Sequence, residues 1–102
     1  MTKRERVLDF LKYACEGREN ARDSRSLEKA AHISRSELQR CVNRMRREGV
    51  PIGSCQQGYY YAITADEIYD TIRQLQQMES GLKAAISGLV GALKGFTGSN
   101  PK

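Results

Sequence analysis

A capped, arginine-rich helix followed directly by a short hairpin is encoded between residues 34 and 61. Ser34 is followed three residues later by Glu37, which is the spacing of a capping box, where each side chain bonds the backbone amide of the other residue. Gly49 favours the end of this helix, and Pro51 prevents its continuation because proline lacks the amide hydrogen that a helix interior requires. The sequence therefore predicts a helix that begins at Ser34 and ends close to Gly49.

Two short strands are predicted after this helix, over residues 50–54 and 58–62. Residues 55–57 form the connection, and Gly58 supplies the backbone angle that a tight turn needs. Alternation along the strands predicts that Tyr60 faces one side of the hairpin and the other large apolar residues face the opposite side. These other residues are Ile52, Tyr59 and Tyr61. A hairpin directly behind a basic helix is typical of a winged helix-turn-helix.

Two further helices are predicted ahead of the arginine-rich one. Apolar residues at three- and four-residue spacing indicate a first helix over residues 3–16. A short second helix is predicted over residues 27–32, with Ser24 or Ser26 as its N-cap. A turn then leads into the third helix, over residues 34–47, so that the last two helices form a helix-turn-helix pair.

The outward face of the third helix carries the candidate DNA-binding residues. If Leu38, Val42 and Met45 face the core, the opposite side is polar. Arginine can pair with guanine, glutamine or asparagine with adenine, and serine with phosphate at a helix N-terminus. The predicted contacts are Ser34, Arg35, Ser36, Gln39, Arg40, Asn43, Arg46 and Arg47 on the helix, with Gln56 and Gln57 at the hairpin tip. The alternative interpretation is that these arginines form an ordinary solvated face.

The positive charge of the chain is concentrated in its first part. The net charge is +5, and residues 1–61 hold 13 lysines and arginines against eight acids, whereas the remainder holds four of each. This division favours a nucleic-acid-binding domain followed by a neutral segment. One histidine, three cysteines without a C-x-x-C pair and no phosphate-binding loop give no basis for an enzyme, a metal site or a cofactor.

Residues 24–62 resemble the winged helix-turn-helix family that includes the DNA-binding domain of the biotin operon repressor. The matching residues are Ser34, Arg35, Leu38, Val42, Met45, the run Gly49-Val50-Pro51-Ile52, and Gly58, Tyr59 and Tyr61. The resemblance implies that the outward residues of the third helix face DNA, namely Arg35, Ser36, Gln39, Arg40 and Asn43. Relatives that sense a cofactor carry a further domain, which is not expected here. Short versions with a helical tail resemble phage or prophage proteins.

A heptad pattern of apolar residues runs through the second part of the chain. Its members are Ile68, Ile72, Leu75, Leu82, Ile86, Leu89, Leu93 and Phe96, with Glu79 as the polar exception. We expect residues 63–97 to form a long helix that pairs with a second copy, most simply as a dimer. The alternatives are a break near Gly81 that folds the second half back, or a helix lying on a membrane surface. Residues 98–102 are expected to be a disordered tail.

Together these observations predict a mainly α (α+β) chain, with a winged helix-turn-helix domain over residues 1–62 and a C-terminal oligomerisation helix. The predicted function is sequence-specific binding of double-stranded DNA by a phage-type or bacterial transcriptional regulator. The alternatives are a phage assembly or DNA-packaging recognition subunit, and a winged helix used for protein–protein contact. With neither a signal peptide nor a long apolar run, a cytoplasmic protein without a membrane partner is expected.

Overall fold

Five α-helices and one two-stranded antiparallel sheet make up the part of the chain that the computed structural model describes, residues 1–77 and 83–97. In chain order the elements are α1 (Lys3–Ala14), a short 3-10 helix (Arg18–Asn20), α2 (Ser24–Ala31), α3 (Arg35–Arg47), β1 (Ile52–Cys55), β2 (Gly58–Tyr61), α4 (Ala65–Gln76) and α5 (Lys83–Thr97). The predicted mainly α, α+β class is therefore confirmed.

The ends of the first three helices follow local side-chain signals. Thr2 and Glu5 form a capping box at the start of α1. At α2 the N-cap is Asp23, whose Oδ1 accepts hydrogen bonds from both the amide and the hydroxyl of Ser26. The prediction that Ser24 or Ser26 caps this helix was wrong, because the N-cap is the Asp23 carboxylate, one residue before Ser24. The helix therefore begins about one turn earlier than the predicted start at residue 27. His32, in a left-handed conformation, ends α2.

The hairpin is covered on both faces. Ile52 lies opposite Tyr61 and Gly53 opposite Tyr60, so the predicted alternation of faces is confirmed. Ile52 is fully buried in the core that α1, α2 and α3 share, and Tyr60 is also 0% exposed on the other face. A Cβ at Gly53 would lie 2.3 Å from the Tyr60 ring, which explains glycine in the middle of a strand.

Helix α4 provides the cover for the second face of the hairpin. The hydroxyl of Thr71 accepts a hydrogen bond from the Ser54 amide at 3.0 Å and lies 3.5 Å from the Tyr60 hydroxyl. The same Tyr60 hydroxyl donates to the carbonyl of Glu67 at 3.3 Å. Burial raises the pKa of Tyr60, so its hydroxyl remains a donor at neutral pH. The hairpin is thus anchored by polar contacts as well as by apolar packing.

The expected single helix over residues 63–97 is not observed among the described residues, which agree instead with the alternative that the second half folds back on the first part of the chain. Helix α4 ends at Gln76, α5 begins at Lys83, and α5 packs against both α3 and α4. The predicted oligomerisation residues are placed inside this one chain: Ile68, Ile72, Leu75, Leu89 and Leu93 are buried, and Ile86 and Phe96 pack against the same core. Folding back removes the apolar stripe from water without a second copy. Leu82, Glu79 and Gly81 lie outside the described residues, as do residues 98–102.

Candidate nucleic-acid interface

The turn between α2 and α3 fixes which side of α3 faces outward. Ile33, in the turn, is buried, and Ser34 follows as the N-cap of α3. Leu38, Val42 and Met45 are buried as predicted, so the opposite side of the helix faces solvent. The exposed residues on that side are Arg35, Ser36, Gln39, Arg40, Arg44 and Arg47, with Asn43 half-buried.

Four of the α3 arginines are exposed and unpaired. Within residues 1–77 and 83–97, no ion pair or hydrogen bond involves the side chains of Arg35, Arg40, Arg44 or Arg47. The acids at the two ends of the helix are already paired with α1: Lys3 Nζ lies 2.8 Å from Glu37 Oε2, and Arg4 pairs with Glu48. The outward side of α3 therefore presents positive charge that nothing in the described chain neutralises. Arg44 was not among the predicted contacts, although it lies one turn after Arg40.

The capping box predicted at Ser34 is confirmed, and it changes what this terminus can bind. Ser34 Oγ accepts from the Glu37 amide at 3.2 Å, and Glu37 Oε1 accepts from the Ser34 amide at 3.1 Å. The hydrogen bond from Lys3, together with that from the Ser34 amide, lowers the pKa of Glu37 to about 2. A carboxylate therefore already lies at the helix N-terminus at neutral pH. Ser34 and Ser36 are both exposed, but only the Ser34 hydroxyl is engaged in the capping box.

The Glu37 contacts predict a loss of stability in acid. Because the folded-state pKa is depressed from 4.5 to about 2, the stabilisation is complete above pH 4.5 and is lost as the pH falls towards 2. Urea unfolding of the wild type and of Glu37→Gln should therefore differ at pH 6 and converge near pH 2. Glu19→Gln, at an exposed acid whose side chain makes none of these bonds, serves as the control. A difference that persists unchanged near pH 2 would contradict this assignment.

Arg46 was predicted to contact DNA, and its position contradicts that prediction. Its side chain is only 4% exposed, and its Nε donates to the Ile52 carbonyl at 2.9 Å. The guanidinium carbon lies 5.9 Å from the centroid of the Tyr59 ring. Arg46 follows the buried Val42 by one helical turn, which directs its side chain inward beneath the hairpin. The four-residue spacing from Val42 was the sequence signal that could have separated this arginine from its exposed neighbours.

Most of the predicted contacts line one of two cavities beside α3. Arg35, Gln39 and Asn43 border an open cleft of about 870 Å³, which the exposed hairpin-tip residues Gln56 and Gln57 also line. Arg40 lies on the other side, beside a smaller depression of about 270 Å³ that Arg44, Lys3 and Arg4 also line. Ser36 and Arg47 are exposed on the same helix and line neither cavity of this pair.

Helix α4 contributes residues to the cleft that the sequence analysis missed. Gln74 and Gln77, at the end of α4, line the cleft opposite α3, and Gln74 Oε1 accepts a hydrogen bond from Ser54 Oγ at 2.8 Å. Tyr59 lines the same cleft from the hairpin. Three glutamines lie within the run Gln74-Leu75-Gln76-Gln77, which is a compositional signal for a polar site. The sequence does not show where that site lies, because the packing of α4 on the hairpin cannot be read from it.

Other classes of site have little support in the described residues. No group of three or more His, Cys, Asp or Glu side chains among them is arranged to hold a metal ion. No helix within residues 1–77 and 83–97 is both long and apolar enough to cross a membrane. The cysteines are free, and burial raises the pKa values of the Cys15 and Cys41 thiols, which disfavours the reactive thiolate.

Comparison with known proteins assigns no family to this chain. A scan against protein-family models found no match, and searches of curated proteins and of solved structures found none either. The function is therefore inferred from the exposed face of α3 and from the cleft beside it.

Proposed function

We propose that this chain binds double-stranded DNA through the outward face of α3, as a winged helix-turn-helix regulator of phage or bacterial type. The observation that carries the proposal is the set of four exposed, unpaired arginines on one helix, Arg35, Arg40, Arg44 and Arg47. The acids at the two ends of this helix, Glu37 and Glu48, are paired with Lys3 and Arg4 of α1 and do not neutralise these arginines.

The order of the elements supports this proposal. Helix α3 follows α2 after a short turn and precedes an antiparallel hairpin, which is the arrangement of a recognition helix and its wing. Gln39 and Asn43 lie on the same helix as the arginines and can read adenine edges, while the arginines contact phosphates or guanine. The hairpin tip, with Gln56 and Gln57, is uncharged and would contribute less than α3.

The test is the affinity for a duplex at several salt concentrations. Arg40→Ala combined with Arg47→Ala should weaken binding to a mixed-sequence duplex and make the negative slope of log K against log salt shallower by about 2, because each phosphate contact contributes about −0.9 to that slope. Fluorescence anisotropy with a labelled 30-base-pair duplex, from 50 to 200 mM NaCl, measures both quantities. Both arginines are exposed, so folding should be unchanged.

A matched control removes the same charge elsewhere. Arg18→Ala combined with Arg73→Ala changes two arginines that pair with Asp70, away from α3. This control should keep most of the affinity and the salt slope. If the two double variants lost duplex affinity equally, net charge alone would explain the loss, and a specific binding surface on α3 would be contradicted. Absence of duplex binding by the wild type at 50 mM NaCl would favour a winged helix used for protein–protein contact.

A further inference from the structure

Arg46 is a buried cation whose hydrogen-bonding capacity is only partly used. Its Nε donates to the Ile52 carbonyl, but its Nη2 atom, which is buried, has no hydrogen-bond partner among the described residues. Burial lowers the pKa of Arg46 to about 10, so the side chain still carries its charge at neutral pH. The Tyr59 ring and one carbonyl oxygen offset part of the desolvation cost, and no carboxylate of the described chain pairs with it.

The cleft that Arg46 lines has the volume of a small-molecule site, and most of its lining side chains are polar. Its volume of about 870 Å³ lies within the range of ligand pockets in proteins. Six carboxamide side chains line it: Gln39, Asn43, Gln56, Gln57, Gln74 and Gln77. A carboxamide offers both donors and an acceptor, so this wall can bond a polar molecule from several sides. Arg35, which also lines the cleft, adds a second, unpaired cation, and Asp23 lines it as a carboxylate whose Oδ1 accepts hydrogen bonds from Ser26. The lining therefore holds two cations against one anion.

We propose that the cleft between α3, the hairpin and α4 binds a small anionic molecule, whose carboxylate or phosphate group pairs with Arg46. The body of the ligand lies against the Tyr59 ring and the carboxamides. A DNA phosphate is the other possible source of the anion. It fits less well, because Arg46 lines the cleft, whereas Arg40, Arg44 and Arg47, on the exposed side of α3 where a duplex would rest, do not. The inference goes beyond DNA binding and does not depend on it.

The test is a titration of the full chain with small anions, in which the NMR signals of the Arg46 Nε–H and of the side-chain amides are monitored. The probes are inorganic phosphate, benzoate and adenosine monophosphate, with NaCl at matched ionic strength as the reference. At least one probe should give a saturable shift of the Arg46 Nε–H, together with shifts of Asn43 and Gln74. Shifts that only follow ionic strength, for every probe, would overturn the proposal.

Variants assign the site. Arg46→Met should weaken the best probe at least tenfold, and Arg46→Lys should weaken it less, since the charge remains. In case Arg46→Met does not fold, Gln74→Ala and Gln76→Ala form an exposed pair on α4, of which Gln74 alone lines the cleft. Gln74→Ala should weaken the probe severalfold and Gln76→Ala should not. Equal binding by all four variants would overturn the site.

A last experiment distinguishes a small-molecule anion from a DNA phosphate as the group that pairs with Arg46. The duplex is titrated into the wild type, and its affinity is measured for Arg46→Lys. If none of the three small probes binds, while the duplex shifts the Arg46 Nε–H and Arg46→Lys lowers duplex affinity, the anion is a DNA phosphate and the small-molecule proposal is wrong. If small probes bind but the double variant Arg40→Ala/Arg47→Ala has unchanged duplex affinity, the ligand site is supported and the proposed DNA-binding surface is contradicted.

Discussion

Replacing Gly88 with alanine is expected to separate α5 from α3 and to lower the free energy of unfolding by about 3 kcal/mol, at the upper end of the cost of overpacking. A Cβ at this position would lie 1.7 Å from the Arg46 carbonyl oxygen and 2.7 Å from the Arg47 Cα. Both are backbone atoms of α3, so no side-chain rotation relieves the overlap. The two helices must move apart, which exposes the apolar residues between them.

Gly91→Ala is the matched control for this change, since Gly91 lies three residues further along the same helix. A Cβ there would meet nothing within 4 Å. Alanine favours a helix over glycine by about 0.5–1 kcal/mol, so Gly91→Ala should be stabilising. Urea unfolding followed by circular dichroism measures both variants. If Gly88→Ala also stabilised the protein, the close approach of α5 to α3 would be refuted.

The elements that the sequence predicted well are those with local chemical signals. The capping box of Ser34 and Glu37 and the glycine and proline after α3 involve residues a few positions apart, so their geometry depends little on the rest of the fold. The alternation in the hairpin is equally local, and the faces of Ile52 and Tyr60 followed from it. Residue patterns at short range therefore located α3 and the hairpin.

The parts that the sequence could not predict depend on which surfaces meet. A heptad stripe shows that one face of a helix is to be buried, but it does not distinguish a second copy from the chain's own domain. Arg46 shows the same limit, because its spacing of four residues from Val42 indicates the inward side of α3 but not that the hairpin covers it. The carboxamides of α4 reach the cleft only because α4 covers Tyr60. Each of these features is a tertiary contact.

Leu89→Ala tests directly whether the stripe is buried within one chain. Leu89 is 0% exposed, so its replacement by alanine should lower the free energy of unfolding by about 3 kcal/mol, within the range for leucine in a packed core. The neighbouring residue Val90 is 46% exposed, and Val90→Ala should change the unfolding free energy by less than about 0.5 kcal/mol. Urea unfolding of the two variants and the wild type measures the change in the free energy of unfolding. Repeating it over a hundredfold range of protein concentration shows whether that free energy includes association with a second copy.

The dependence on concentration distinguishes the two arrangements of α5. If α5 packs on α3 and α4 of its own chain, the wild-type midpoint does not change with protein concentration, because unfolding involves one molecule. If the stripe instead pairs with a second copy, the midpoint rises with concentration, and Leu89→Ala weakens association as well as folding. A rising midpoint that Leu89→Ala removes would restore the paired helix and contradict the fold-back. A constant midpoint with a large Leu89→Ala cost would establish that the stripe is part of the domain core.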